Sequence, residues 1–191
     1  MNLKTTRFTQ VYWPALWPYA FIAMLVILYF GETLFLKKAF FWRDIYHMHI
    51  WPPFGGKGLE TGEWLPLWNP FWGGGKPYFA DPESGMLYPF NWLYRILPPV
   101  RALMIGVALQ MFIFGASMYA LCRHWKLQVA PSLLAAICMM FGTLIVAALD
   151  GGSPFAAMSW GPLVLLLVSL SMDRWKAFGQ AEPWLVRFWK N

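Results

Sequence analysis

Charged side chains are what this 191-residue sequence has least of. Asp, Glu, Lys and Arg make up 13% of it, about half of what a soluble domain carries on its surface. Hydrophobic residues fill 59% of the chain and the mean hydropathy is +0.45, so the composition is that of a multi-pass membrane protein. Cysteine is confined to Cys122 and Cys138. One falls at the end of an apolar segment and one inside another, so both read as membrane-buried thiols and no disulfide is expected. A dense basic stripe is also missing. The net charge is +6, but the Lys and Arg residues are scattered, which argues against nucleic acid and for membrane topology and anionic lipid as their role. Gly73-Gly74-Gly75 lacks the Gly-Lys-Ser/Thr and the strand-to-helix setting of a nucleotide loop. Ionisable groups are almost absent from the middle of the apolar segments, which disfavours an ion pathway or proton relay.

What is present is a series of segments of spanning length. The apolar run 14–36 follows a short polar start with Lys4 and Arg7. It exceeds a signal-peptide core and no small-residue cleavage site follows, so it reads as an anchor that stays in place. Glu32, near its far end, is either solvated at the interface beside Lys37 and Lys38 or part of a site. Three more apolar segments, 100–121, 129–149 and 154–172, run to about 19–22 residues each, enough for a hydrocarbon core of about 30 Å. Ser153 can cap the last of them, with Pro154 in its first turn. The expected architecture is an all-α membrane protein, a single module over 1–191 with four transmembrane helices. Lys and Arg are in excess in the N-terminus, in the Arg123/Lys126 turn and in the tail, so these three are expected in the cytoplasm. The region 39–99 is then a large extracytoplasmic loop.

That loop holds the chemistry. Its first part, 39–51, places Phe41, Ile45 and Met48 on one helical face and Asp44 with His47 on a neighbouring one, the pattern of a short helix lying in the membrane interface. Pro52-Pro53 and nearby glycines end it. The stretch 62–94 is dense in Trp, Tyr, Phe, Gly and Pro, too broken for a long helix and too aromatic for a disordered linker, so an irregular, compact fold is expected. Asp44 stands out: a carboxylate near headgroup level, shielded by apolar neighbours, can serve as a general base. It could instead hold a divalent cation with His47, His49 or Asp81, or simply pair with Arg43 or Lys38. On a helix His47 and His49 point apart, so a dedicated metal centre is not expected. Asp81 and Glu83 are two solvated acids of a turn or a substrate contact. Lys76, Arg95 and Arg101 could meet a phosphate or anchor lipid headgroups. Trp64, Trp68, Trp72, Tyr78, Tyr88 and Trp92 could form an interfacial belt or a stacking surface for a sugar ring.

Read together, Leu65-Pro66-Leu67-Trp68-Asn69-Pro70, Gly74-Gly75-Lys76-Pro77-Tyr78-Phe79-Ala80-Asp81-Pro82, Ser84-Gly85 and Leu87-Tyr88-Pro89 closely resemble the first outer loop of the bacterial YfhO-like membrane protein family, which is grouped with the GT-C glycosyltransferases. The resemblance extends over essentially the whole chain, more loosely through Asp44 and Trp160-Gly161-Pro162. It implies a multi-helix enzyme of the bacterial inner membrane that takes a sugar from a polyprenyl-phosphate donor and transfers it outside the cytoplasm to a cell-surface acceptor. Asp44 corresponds to its catalytic position. His47, Lys76, Asp81, Glu83, Tyr88 and Arg95 are the expected substrate contacts. Such enzymes have about two to three times as many spanning helices, so this chain is expected to correspond to their N-terminal part and to need a partner chain or further helices. The turn Asp150-Gly151-Gly152 lacks a His found in many relatives.

Overall fold

The computed structural model describes residues 3–36, 38, 67–69, 74–81, 85, 87–149 and 153–180. In chain order the elements are α1 (Leu3–Tyr29), α2 (Gly31–Phe35), β1 (Trp68–Asn69), β2 (Lys76–Pro77), a 3₁₀ helix (Pro89–Arg95), α3 (Pro99–His124), α4 (Val129–Met140), α5 (Thr143–Ala148), α6 (Ser153–Ser159) and α7 (Gly161–Gln180). The chain is mostly helical. Among the described residues, three stretches are long and apolar enough to cross a membrane, namely Pro99–His124, Val129–Val146 and Phe155–Lys176, while the apolar stretch Leu16–Tyr29 is shorter.

The expected spans differ from these helices in instructive ways. The first, 14–36, was expected to begin at Pro14, yet α1 starts at Leu3 and runs through Pro14 and Pro18. It stops at Tyr29, because Phe30 leaves helical geometry (φ −94°, ψ 9°) ahead of Gly31, a poor helix former. Hydrogen bonding continues past that residue, from the Phe30 amide to the Val26 carbonyl and from the Leu34 amide to the Phe30 carbonyl. The third expected span, 129–149, is divided at Gly142, whose extended backbone (φ −61°, ψ 143°) opens α5. A Cβ at Gly142 would stand 2.9 Å from the Cys138 carbonyl oxygen. The fourth, 154–172, is divided at Trp160, because Pro162 has no N–H to give to the preceding turn, and the helix then continues to Gln180.

Helix α3 is the central mast. Of its apolar window 61% is buried, against 28% for Val129–Val146 and 17% for Phe155–Lys176. In lipid no hydrophobic force draws helices together, so close packing of small residues has to do it. Gly115 is where this is tightest: a Cβ there would lie 2.0 Å from Met140 Sδ, 2.9 Å from Met140 Cγ and 3.1 Å from Ile22 Cγ2. Three helices, α1, α3 and α4, therefore meet on one hydrogen atom. Around this point Ile22, Met111, Phe114, Ala136 and Met140 are almost fully buried, and Tyr19 meets Tyr119 edge-on at 5.2 Å.

The two ends of the bundle are distinct. At one end α3 turns into α4 through residues 125–128, with Lys126 in the left-handed region (φ 66°). The Trp125, Leu127 and Lys126 amides donate to the carbonyls of Leu121, Cys122 and Arg123, which uses three of the orphan carbonyls of the α3 C-terminus, and Arg123 Nη1 donates to the Leu127 carbonyl in the turn. His124 Nε2 lies 3.2 Å from Asp173 Oδ2 at that same end. At the other end Arg101 Nη1 donates to the Leu34 carbonyl at 3.1 Å, fastening the start of α3 to α2. Glu32 pairs in the open with Lys38 at 2.9 Å, the solvated alternative of the two considered for it. Residues 87–98 sit at this second end, where Phe90 and Leu93 rest on Gly106.

Candidate functional site

The described part of the loop begins with a hairpin. Trp68 pairs with Pro77 and Asn69 with Lys76 in an antiparallel ladder, which the Tyr78 amide extends by donating to the Leu67 carbonyl at 2.7 Å. Gly75 makes the return possible. Its φ is +112°, and a Cβ would stand 2.8 Å from Trp68 Cζ2, so the indole occupies space that only glycine leaves bare. Gly75→Ala is expected to cost about 1–3 kcal/mol locally, read as faster protease cleavage within 67–81 while the helices stay intact.

After the hairpin, Lys76 Nζ forms an ion pair with Asp81 Oδ2, both side chains being partly shielded. The two charges were separate candidates in the sequence; here each offsets the other. Burial, and then the neighbouring Tyr94 and Asp81, push the Tyr78 phenol well above its ordinary range, so it stays protonated and packs as an aromatic wall. Next, Gly85 (φ +56°) accepts two bonds at its carbonyl, from the Tyr88 amide at 2.8 Å and from Asn91 Nδ2 at 3.0 Å. That turn aims Tyr88 into the bundle and starts the 3₁₀ helix at Pro89.

Tyr88 is the hub. Its hydroxyl donates to Gln110 Oε1 at 2.9 Å and accepts from Trp160 Nε1 at 2.9 Å, with the Ala156 carbonyl 3.5 Å away. Ser159 Oγ donates to that same carbonyl at 2.9 Å. One phenol thus connects the loop to α3, to α6 and to the α6–α7 junction. The rings close over it: Tyr88 and Trp160 meet edge-on at 6.4 Å, and Phe90 lies 6.1 Å from Trp160. Phe90 and Leu93 pack on Gly106, where an added Cβ would be 3.6 Å from Phe90 Cβ. Arg95 lies over the Trp92 ring, 5.5 Å from its centroid.

The structure therefore brings Tyr88 into contact with the helices, pairs Lys76 with Asp81 and stacks Arg95 on Trp92. Asp44, His47 and Glu83 lie outside the described residues, as does the expected interfacial helix 39–51. Gln110 was missed in the sequence. It is 7% exposed, and a lone amide inside the apolar run 100–121 was the available signal, since such a group needs a partner. Comparison with family models, with curated proteins and with solved structures returns no match. Fold and site together define a helical protein with, among the described residues, three membrane-length helices and a folded segment fixed on one end of them.

Proposed function

We propose that the chain is a YfhO-like, GT-C-type module of the bacterial inner membrane, transferring a sugar from a polyprenyl-phosphate donor to a cell-surface acceptor. In this reading both termini are cytoplasmic, α1 with α2 supplies a fourth span, and the loop faces outward. The observation that carries it is the docking of the loop through Tyr88 onto Gln110 and Trp160. The residues that bear the resemblance thus include a folded platform fixed to the helix ends, as a site for a substrate held half in lipid requires. In the reaction the bond between the sugar's anomeric carbon and the donor phosphate breaks. The acceptor oxygen takes its place, and Asp44 receives the acceptor's proton. Lys76, Arg95 and Arg101 are the cations available to the leaving phosphate. The Leu34 carbonyl occupies one of the five guanidinium donors of Arg101. Asp81 lowers what Lys76 can contribute.

Asp44→Asn should reduce sugar transfer in membranes supplied with polyprenyl-phosphate sugar by about 10²–10⁴-fold, the usual worth of a general base. Turnover equal to wild type would remove Asp44 from the chemistry. A second reading, a non-catalytic module that works with a partner chain, is favoured by α7. Only 17% of the apolar window Phe155–Lys176 is buried. Folded wild-type protein that transfers no sugar in such membranes supports this second reading.

A further inference from the structure

We infer that the start of the segment 87–96 lies inside the hydrocarbon at the loop end of the bundle, with Leu87 facing lipid acyl chains, while Ile96, next to the start of α3 about 37 Å from His124, lies at headgroup level. The inference needs only the membrane-spanning helices and stands apart from the sugar-transfer reading. The level of the segment can be measured along two helices from a common reference. His124 and Asp173 meet at the opposite end, beside Arg123, Trp125, Lys126 and Trp175, which suit a membrane interface. From His124 back to Gln110, α3 climbs about 21 Å, and from Asp173 back to Trp160, α7 climbs about 20 Å, at the helical rise of about 1.5 Å per residue. The hydrocarbon core is about 30 Å thick. The Tyr88 hydroxyl is bonded to both Gln110 and Trp160, so it lies about 10 Å inside the near edge of that core. Gly106, on which Phe90 and Leu93 rest, is about 27 Å up α3 and still inside it.

Backbone outside an α-helix, such as this turn and 3₁₀ helix, is tolerated at such depth only when its polar groups find partners in the protein. Much of this segment's backbone meets that condition. The amides of Tyr88, Asn91, Ile96 and Leu97 donate to carbonyls of Gly85, Tyr88 and Leu93, and Asn91 Nδ2 donates to Gly85. Its outward side chains are apolar: Leu87 is 73% exposed and Ile96 76% exposed. Trp92 carries Arg95 on its ring, a pairing that lets the guanidinium reach up toward headgroups while the indole stays at the interface. A surface of this make-up at this depth fits lipid.

The test is nitroxide accessibility in phosphatidylcholine vesicles. Labels are placed by Leu87→Cys or Ile96→Cys in a chain carrying Cys122→Ala and Cys138→Ala, with Leu165→Cys on α7 as the lipid reference and Lys38→Cys as the water reference. The expected result is an oxygen-over-nickel-chelate collision ratio at Leu87 close to that at Leu165 and several-fold above Lys38, with the ratio at Ile96 between the two references. A ratio at Leu87 equal to that at Lys38 overturns the inference, because the segment then lies in water. Protection from both oxygen and nickel overturns it equally, because protein then covers the surface. Both replaced side chains are exposed, and circular dichroism of each variant confirms that the helices persist before its label is read.

Discussion

Tyr88→Phe is expected to loosen the loop from the bundle and to destabilise the protein by about 1–3 kcal/mol, the cost of leaving buried hydrogen-bonding groups unmet. The phenol oxygen serves Gln110 as donor and Trp160 as acceptor, so a single deleted atom strands two groups at once. An interhelical hydrogen bond in a bilayer averages only about 0.6 kcal/mol, because the loosened state also finds partners. What lifts the expected effect above that is the burial of Gln110, 7% exposed in an apolar setting. The two contributions separate experimentally. Tyr88→Phe alone should lower the unfolding midpoint in detergent and raise protease cleavage in 87–98. Adding Gln110→Leu and Trp160→Phe should return much of the loss, since removing every partner is nearly neutral where removing one is not. A triple variant as unstable as the single would mean that the aromatic packing, not the polar network, holds the loop.

Gly115→Leu is expected to be the most damaging substitution in the helices. Even a methyl group at Gly115 would stand 2.0 Å from Met140 Sδ and 3.1 Å from Ile22 Cγ2, and overpacking of a tight core typically costs about 1–3 kcal/mol or more. Gly115→Ala should fall at the lower end, because the Met140 side chain is flexible enough to move its sulfur aside. A leucine has no such exit: α1 and α4 both have to retreat from α3. The check is denaturant or thermal unfolding of the purified protein in detergent. Met140→Ala should recover part of the loss in the Gly115→Ala background, a non-additive pair of the kind that contacting residues give. Additive effects of the two substitutions would show that α1, not α4, sets the limit at this junction.

The candidate site was partly legible. Tyr88 could be nominated only as one of six loop aromatics suited to an interfacial belt or a stacking surface, because its partners are 22 and 72 residues away in the chain. No local pattern reports such a distance. Lys76 and Asp81 could be nominated one by one; that they neutralise each other depends on the turn between them, which the Asp81 amide closes onto the Tyr78 carbonyl at 3.3 Å. Gln110 escaped because the reading stressed how few polar groups the apolar segments contain, and one amide in such a run is easily passed over. The more useful question was what that amide would bond to.

Local composition, set against the thickness of a bilayer, was enough to determine three of the four expected membrane-length segments and the basic turn between two of them, but it indicated only an irregular folded loop where the structure has a glycine-dependent hairpin. The segments and the basic turn each depend on residues close together in the chain. Tertiary structure decided the rest: which helix stands at the centre, where Trp160 and Gly142 divide the expected spans, and how far Tyr88 reaches into the bundle. Those outcomes rest on which side chains meet across helices, and hydropathy, being a sum over neighbours in sequence, carries no information about partners in space.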